Sequence, residues 1–175
     1  MLARNDPIDS MPTPEQDQAE EEFAAAFRQV SRSAFLLARR LGRGTDEALD
    51  IVQEAALRGW RYRATRRGDF KPWFLAIVYR LACNKVSNWL PLPAGWDRQA
   101  PDAVESAIDP ELLTALRQLP ARQRAALWLH YVDDLAIADV ALVMRCSETA
   151  AKQLLLRGRN GLRRKLLSRS MEDLK

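Results

Sequence analysis

At 175 residues, 47% of them hydrophobic, the chain can hold one ordinary domain or two small ones with a real core. No apolar run approaches the roughly 20 residues that span a bilayer, and "MLARNDPIDSMPTPEQDQ" lacks the apolar centre of a secretory signal. A cytoplasmic protein without membrane insertion is expected. Two distant cysteines and one histidine argue against a disulfide framework or a zinc site, so no metal or cofactor is expected. The net charge of +4 is unevenly placed: residues 1–22 and 91–110 are acidic, while 23–90 and 111–175 are basic. Two basic blocks point to a polyanion touched at two places.

Residues 1–12, polar and carrying Pro7 and Pro12, read as a disordered extension. "TPEQ" then places Thr13 as N-cap, Pro14 at the first helical position and Gln16 closing a capping box. Phe23, Phe27, Val30, Ala34, Leu37, Ala38 and Leu41 recur at three and four, an amphipathic helix that Gly42 and Gly44 stop. Thr45 is expected to cap a second helix from Asp46 to about Trp60.

On that helix Leu49, Val52, Ala55, Ala56 and Trp60 share one side. Asp50, Gln53, Glu54 and Arg61 line the other, with Leu57 exposed among them. An isolated apolar residue on a solvated face is common; the alternative is a docking surface for a partner.

"RYRATRRGD" is arginine-rich without period and reads as a basic loop before a third helix that starts near Phe70 or Lys71. Phe74, Ile77, Val78, Leu81 and Trp89 form the buried face of that helix. Trp73 reads as a core anchor, whereas Tyr62 suits either the core or base stacking beside the arginines. A compact unit closes near Leu90. "PLPAGWDRQAPDAVESAIDP", with four prolines and four acids, reads as a linker on which the two parts fold separately.

Asp109 and Pro110 open a helix whose apolar side is Leu112, Leu113, Leu116 and Leu119, and Pro120 opens another. His130 on the latter reads as structural. "LAIADVALVM", the tight connection "RCS" and a long basic helix from Glu148 to about Leu167 form a helix-turn-helix pattern. Gly158 and Gly161 are expected to weaken the long helix by about 1 kcal/mol each relative to Ala. Ser147, Glu148, Thr149, Lys152, Gln153 and Arg157, at its amino end, have the chemistry to read base edges. There is no GxSxG, Gly-rich phosphate loop or metal-ligand cluster, so no enzyme is expected. The fold class is all-α: two small helical domains on a flexible linker, the second with the helix-turn-helix.

"DIVQEAALRGW", "FKPWFLAIVYRLACNKVSNW" and "LRQLPARQRAALWLHYVDDLAIADVALVMRCSETAAKQLLLRGRNGLRRKL", in that order, resemble the extracytoplasmic-function sigma factors of bacterial RNA polymerase. The resemblance covers residues 20–168. It implies sigma domain 2 over 13–90, a linker over 91–110 threading toward the RNA exit path, and sigma domain 4 over 111–170. It implies an alternative sigma factor that binds the clamp helices of core RNA polymerase through Asp50, Gln53, Glu54 and Leu57. Minus-ten DNA contacts are implied for Arg61, Tyr62, Arg63, Arg66, Arg67, Lys71, Arg80, Asn84, Lys85 and Asn88. Minus-thirty-five contacts are implied for Ser147, Glu148, Thr149, Lys152, Gln153, Leu156, Arg157, Arg159, Arg163 and Arg164. Arg80 stands where many members have Asn, and Arg145 where Gly or Asp is frequent. Promoter DNA and an anti-sigma factor are the further partners implied. The residues alone leave open a stand-alone helix-turn-helix transcriptional regulator, which needs no polymerase.

Overall fold

The computed structural model describes residues 14–84 and 109–172, with side chains to 168, and among these there are helices but no strands. In the first half α1 (Pro14–Arg40), α2 (Thr45–Tyr62) and α3 (Phe70–Cys83) pack on one another, with a 3-10 turn at Arg63–Thr65 between the last two. In the second, α4 (Pro110–Arg117), α5 (Ala121–Tyr131) and α6 (Ile137–Met144) pack around α7 (Glu148–Glu172). The expected extension 1–12, the Thr13 cap, Trp89 and the linker's prolines and acids short of Asp109 lie outside the described residues.

α1 has acids in its first turn and Arg39 and Arg40 in its last, each favourable to the helix dipole. It ends where Gly42 takes φ 91°, with Gly42 N–H donating to the Arg39 carbonyl and Arg43 N–H to that of Ala38. That pair of bonds is a Schellman stop. Arg145, at φ 52°, ends α6 in the same way, with Cys146 N–H donating to the Ala141 carbonyl.

The N-cap of α2 is Gly44, not Thr45: Thr45 is already helical, and no side chain caps the helix. The buried face of α2 is Ala48, Ile51, Val52, Ala55, Ala56 and Gly59, while Leu49 and Trp60 are half-buried at its edges. Gly59 is a point of close approach, where a Cβ would meet the Phe23 ring at 3.1 Å. Around it lie edge-on ring pairs, Phe23 with Trp60 at 5.5 Å and with Phe70 at 5.4 Å, and Phe70 stacked on Phe74.

Asp109 caps α4 as expected, its carboxylate accepting from Glu111 N–H at 2.7 Å. α7 continues beyond Leu167 to Glu172. Its two glycines are points of close approach, which corrects the expectation that they only weaken the helix. A Cβ on Gly158 would lie 3.0 Å from the buried Leu127 side chain, and one on Gly161 would lie 2.8 Å from Leu119. The small residues let α5 and the α4–α5 turn press against α7.

The two halves also pack on each other, α3 against α6 and α1 against α5, and one contiguous apolar core runs through both. Arg40, 3% exposed, lays its guanidinium 4.2 Å from the Trp128 ring centre. Arg124 donates to the Arg40 carbonyl at 2.5 Å and to that of Arg117 at 2.8 Å. Asp133, 7% exposed, accepts from the Ser33 hydroxyl. Lys71 Nζ donates to the Asp133 backbone carbonyl at 2.7 Å and lies 3.5 Å from its carboxylate.

Candidate nucleic-acid and docking interface

The α2 stripe is built by helical spacing: positions 50, 53, 54 and 57 are three and four apart and share a face. All four residues are half-buried, so Leu57 is not the exposed leucine expected from the pattern. Neighbours one turn away on a helix shield part of one another. Glu54 pairs with Arg58 at 2.5 Å through one carboxylate oxygen, while its other oxygen is buried without a hydrogen-bond partner. The stripe thus sets two carboxylates, Asp50 and the Arg58-paired Glu54, beside the apolar Leu57.

Arg61 and Tyr62 belong to the last turn of α2 rather than to a loop. The helix tightens into the 3-10 turn, where Arg63 lies 3.7 Å from the Trp60 ring centre and donates to the Trp60 carbonyl. Gly68, at φ 74°, then turns the chain into α3. Arg61, Tyr62, Arg63, Arg66 and Arg67 are all exposed, Tyr62 by 53%, and Arg66 sits above the Phe70 ring at 5.8 Å. Arg80 and Asn84 are exposed at the far end of α3, and Lys85 and Asn88 lie outside the described residues. Lys71 stands apart from this cationic group, held by Asp133 of the second half.

On α7 the apolar side is Ala151, Leu155, Gly158 and Gly161, and the opposite side is open. Ser147, Glu148, Thr149, Lys152, Gln153, Leu156, Arg157, Arg159, Arg163 and Arg164 are all exposed. Ser147 caps the helix, its hydroxyl accepting from Ala150 N–H at 3.2 Å. Lys152 and Arg163 share an angular position but stand about 16 Å apart at 1.5 Å per residue. Leu156, 49% exposed, adds an apolar group suited to a thymine methyl.

An open cleft of about 700 Å³ runs along this side, lined by Gln123, Arg157, Asn160, Arg163, Arg164 and Leu167. Sequence reasoning missed Gln123 and Asn160 as members of it. Asn160 could have been found from its helical spacing to Arg157 and Arg164, whereas Gln123 comes from α5 and carried no signal. His130 is structural, its Nδ1 2.8 Å from the Leu135 carbonyl.

Asp133 and Ser33 were also missed, because 100 residues of sequence separate them. Burial pushes the Asp133 carboxyl above the usual carboxylate range, opposed by the Ser33 hydrogen bond and the Lys71 charge. Its second oxygen is buried without a hydrogen-bond partner. Burial likewise raises the Tyr79 hydroxyl, with Cys83 adding to the rise and Arg122 of the second half opposing it.

A helix-turn-helix with an open basic face, joined to a second helical unit with its own cationic rim, defines a two-part DNA-binding protein. Residues 26–88 match the family Sigma-70 region 2, and residues 110–162 match Sigma-70, region 4. The chain is 32% identical over 154 residues to the ECF RNA polymerase sigma factor SigM of Mycobacterium tuberculosis, covering 82% of this chain and 76% of that one. It is 31% identical over 152 residues to SigJ of the same organism, covering 78% of this chain and 48% of SigJ. The chain therefore spans about half the length of SigJ. The fold is shared with the sigma factor RpoE solved in complex with the anti-sigma factor NepR from Bartonella quintana (TM-score 0.63, 20% identity, 83% of this chain and 97% of that one). It is shared also with CnrH in complex with the cytosolic domain of CnrY (TM-score 0.65, 17% identity, 87% and 94%). The chain belongs to the ECF RNA polymerase sigma factors, which are transcription initiation factors.

Proposed function

We propose that this chain binds core RNA polymerase and directs initiation at promoters carrying a particular pair of elements. The observation that carries this reading is the pairing, in one chain, of the α2 stripe with the open basic face of α7. A stand-alone helix-turn-helix regulator has no use for the stripe, and the relatives are named as polymerase sigma factors.

Asp50, Gln53, Glu54 and Leu57 dock on the clamp helices, the carboxylates taking charge-assisted hydrogen bonds and Leu57 the apolar contact. Arg61, Tyr62, Arg63, Arg66, Arg67, Arg80 and Asn84, continued by Lys85 and Asn88, hold the opened minus-ten strand, with Lys71 joining them once freed from Asp133. Tyr62 offers a stacking face and the arginines neutralise phosphate. Lys152, Gln153, Leu156 and Arg157, with Ser147, Glu148 and Thr149, read the minus-thirty-five duplex, while Arg159, Arg163 and Arg164 grip phosphates. Residues 13–90 and 111–170 are the two functional domains and 91–110 the segment between them.

The protein performs no chemistry of its own, acts in the cytoplasm and is held idle by an anti-sigma factor. The solved relatives with such partners, and an α2 stripe that needs covering when unused, support that last point. No helix among the described residues is long and apolar enough to cross a membrane.

The test is a pull-down with purified core polymerase. Asp50→Lys combined with Glu54→Lys should lower affinity by one to several powers of ten, since each charge-assisted bond contributes about 1.5–3 kcal/mol. Unchanged affinity at normal helical content would remove the docking role.

A further inference from the structure

We infer that Arg63, laid against the face of the Trp60 indole, is a stacking platform for one unpaired base of the opened strand, with Trp60 as the positioning residue beneath it. This rests on the proposed function and gives Arg63 a task other than neutralising phosphate.

The backbone brings the two side chains together. α2 tightens at its end into the 3-10 turn Arg63–Thr65, where the Arg63 N–H donates to the Trp60 carbonyl. A three-residue bond of this kind sets side chains at i and i+3 nearly above one another. The guanidinium carbon accordingly lies 3.7 Å from the indole centre, the contact distance of two flat groups lying face to face. Its Nη1 donates to the same Trp60 carbonyl at 2.9 Å.

The indole is itself held. Trp60 is half-buried against the core, and Phe23 meets it edge-on at 5.5 Å while also meeting Phe70 at 5.4 Å. Arg66 is held less closely, 5.8 Å from the Phe70 ring centre, near the outer limit of such contacts.

Arg63 is nevertheless exposed. A planar cation with one face on an indole keeps a second face for a partner, and guanidinium planes stack on bases as aromatic rings do. An arginine that only grips phosphate works best with its donors free and its stem mobile. Arg63 commits one donor to its own chain and is ordered in advance, so the entropy of fixing the plane is lost before a base arrives. Arg61, Arg66 and Arg67, all exposed around it, supply the charge for the phosphates on either side.

The test uses holoenzyme assembled from purified core polymerase and the full-length chain, on a template selected from a random promoter library. Mismatches hold the downstream element open, and single abasic residues replace its bases one at a time. Arg63→Lys keeps the charge and loses the plane. Trp60→Met keeps apolar volume and loses the ring, with helical content as the check on folding. Because loss of the indole also thins the core, Trp60→Phe restores a ring under the guanidinium.

Wild type is expected to lose about tenfold or more in affinity when one particular base is missing. Arg63→Lys should lose about as much on the intact template and little further on that abasic one. Folded Trp60→Met should behave like Arg63→Lys, and Trp60→Phe should recover most of the base dependence. Arg63→Lys binding the intact template as tightly as wild type, or showing the same abasic profile, would overturn the platform. A Trp60→Met that still senses the missing base, or a Trp60→Phe that does not, overturns the part given to Trp60. Core polymerase that gains no promoter affinity from any of these proteins defeats the proposed function, and the platform with it.

Discussion

Gly158 stands in the middle of α7, where helix propensity alone promises a gain of about 1 kcal/mol from Ala. The Leu127 side chain, 3.0 Å from where that Cβ would go, reverses the sign. Gly158→Ala should destabilise the protein by about 1–2 kcal/mol in urea unfolding, within the usual range for overpacking. Arg145 is the opposite case: it holds φ 52° at the end of α6 with its side chain exposed. Arg145→Gly should stabilise by about 1 kcal/mol, the left-handed penalty for a residue with a Cβ.

Asp133 gives a pH dependence at this same scale. Its carboxyl is raised, chiefly by burial, so the folded chain binds the proton more readily than the unfolded one. That contribution is full below the usual carboxylate pKa and is lost as pH rises through the raised value. Unfolding free energies measured across that window should therefore fall with rising pH in wild type. Asp133→Asn should lack this component, and equal slopes in the two proteins would contradict it.

Among the elements, α7 is proposed to divide its labour along its length. Lys152 and Gln153 lie near its capped start, and Arg163 about 16 Å further on. Lys152→Ala or Gln153→Ala should change preference at individual base pairs, each worth about 1–3 kcal/mol. Arg163→Ala should weaken all promoters alike and flatten the salt dependence. Transcription from a promoter library at two salt concentrations separates these outcomes. The reading face is wrong if Arg163→Ala shifts the preference and the other two do not.

Most of this scale was legible in the sequence, because apolar spacing at three and four, Asp109–Pro110 and the helix-turn-helix rhythm are local signals. The misses are of two kinds. Thr45 has the chemistry of a cap, yet Gly44 takes the position, since the Schellman stop at Gly42 sets where α2 begins. Arg61 and Tyr62 have the composition of a loop, but they complete the last turn of α2. The residues proposed for docking and for DNA reading come from family resemblance and helical spacing. Gln123 and the Ser33–Asp133 pair were not legible, because each depends on elements brought together only by folding.

At the scale of the whole molecule, the acidic, proline-rich segment between the halves suggests parts that fold apart. One apolar core nevertheless runs through both, joined by Arg40 on Trp128 and by Asp133. Patterning within a helix marks which face is buried, but not whether the covering surface lies in the same half. Free protein should accordingly unfold in a single transition, and Ser33→Asp should split it into two; coincident probes for each half in a urea titration would show this.

Promoter-directed initiation is the decisive property. Purified core RNA polymerase, silent alone on a library of promoter variants, is mixed with the full-length protein and its run-off transcripts are sequenced. Transcripts should arise only from templates that carry one particular pair of upstream and downstream elements. Asp50→Lys with Glu54→Lys should abolish them. No added initiation, together with tight binding of the protein alone to a two-fold symmetric duplex, would contradict the account.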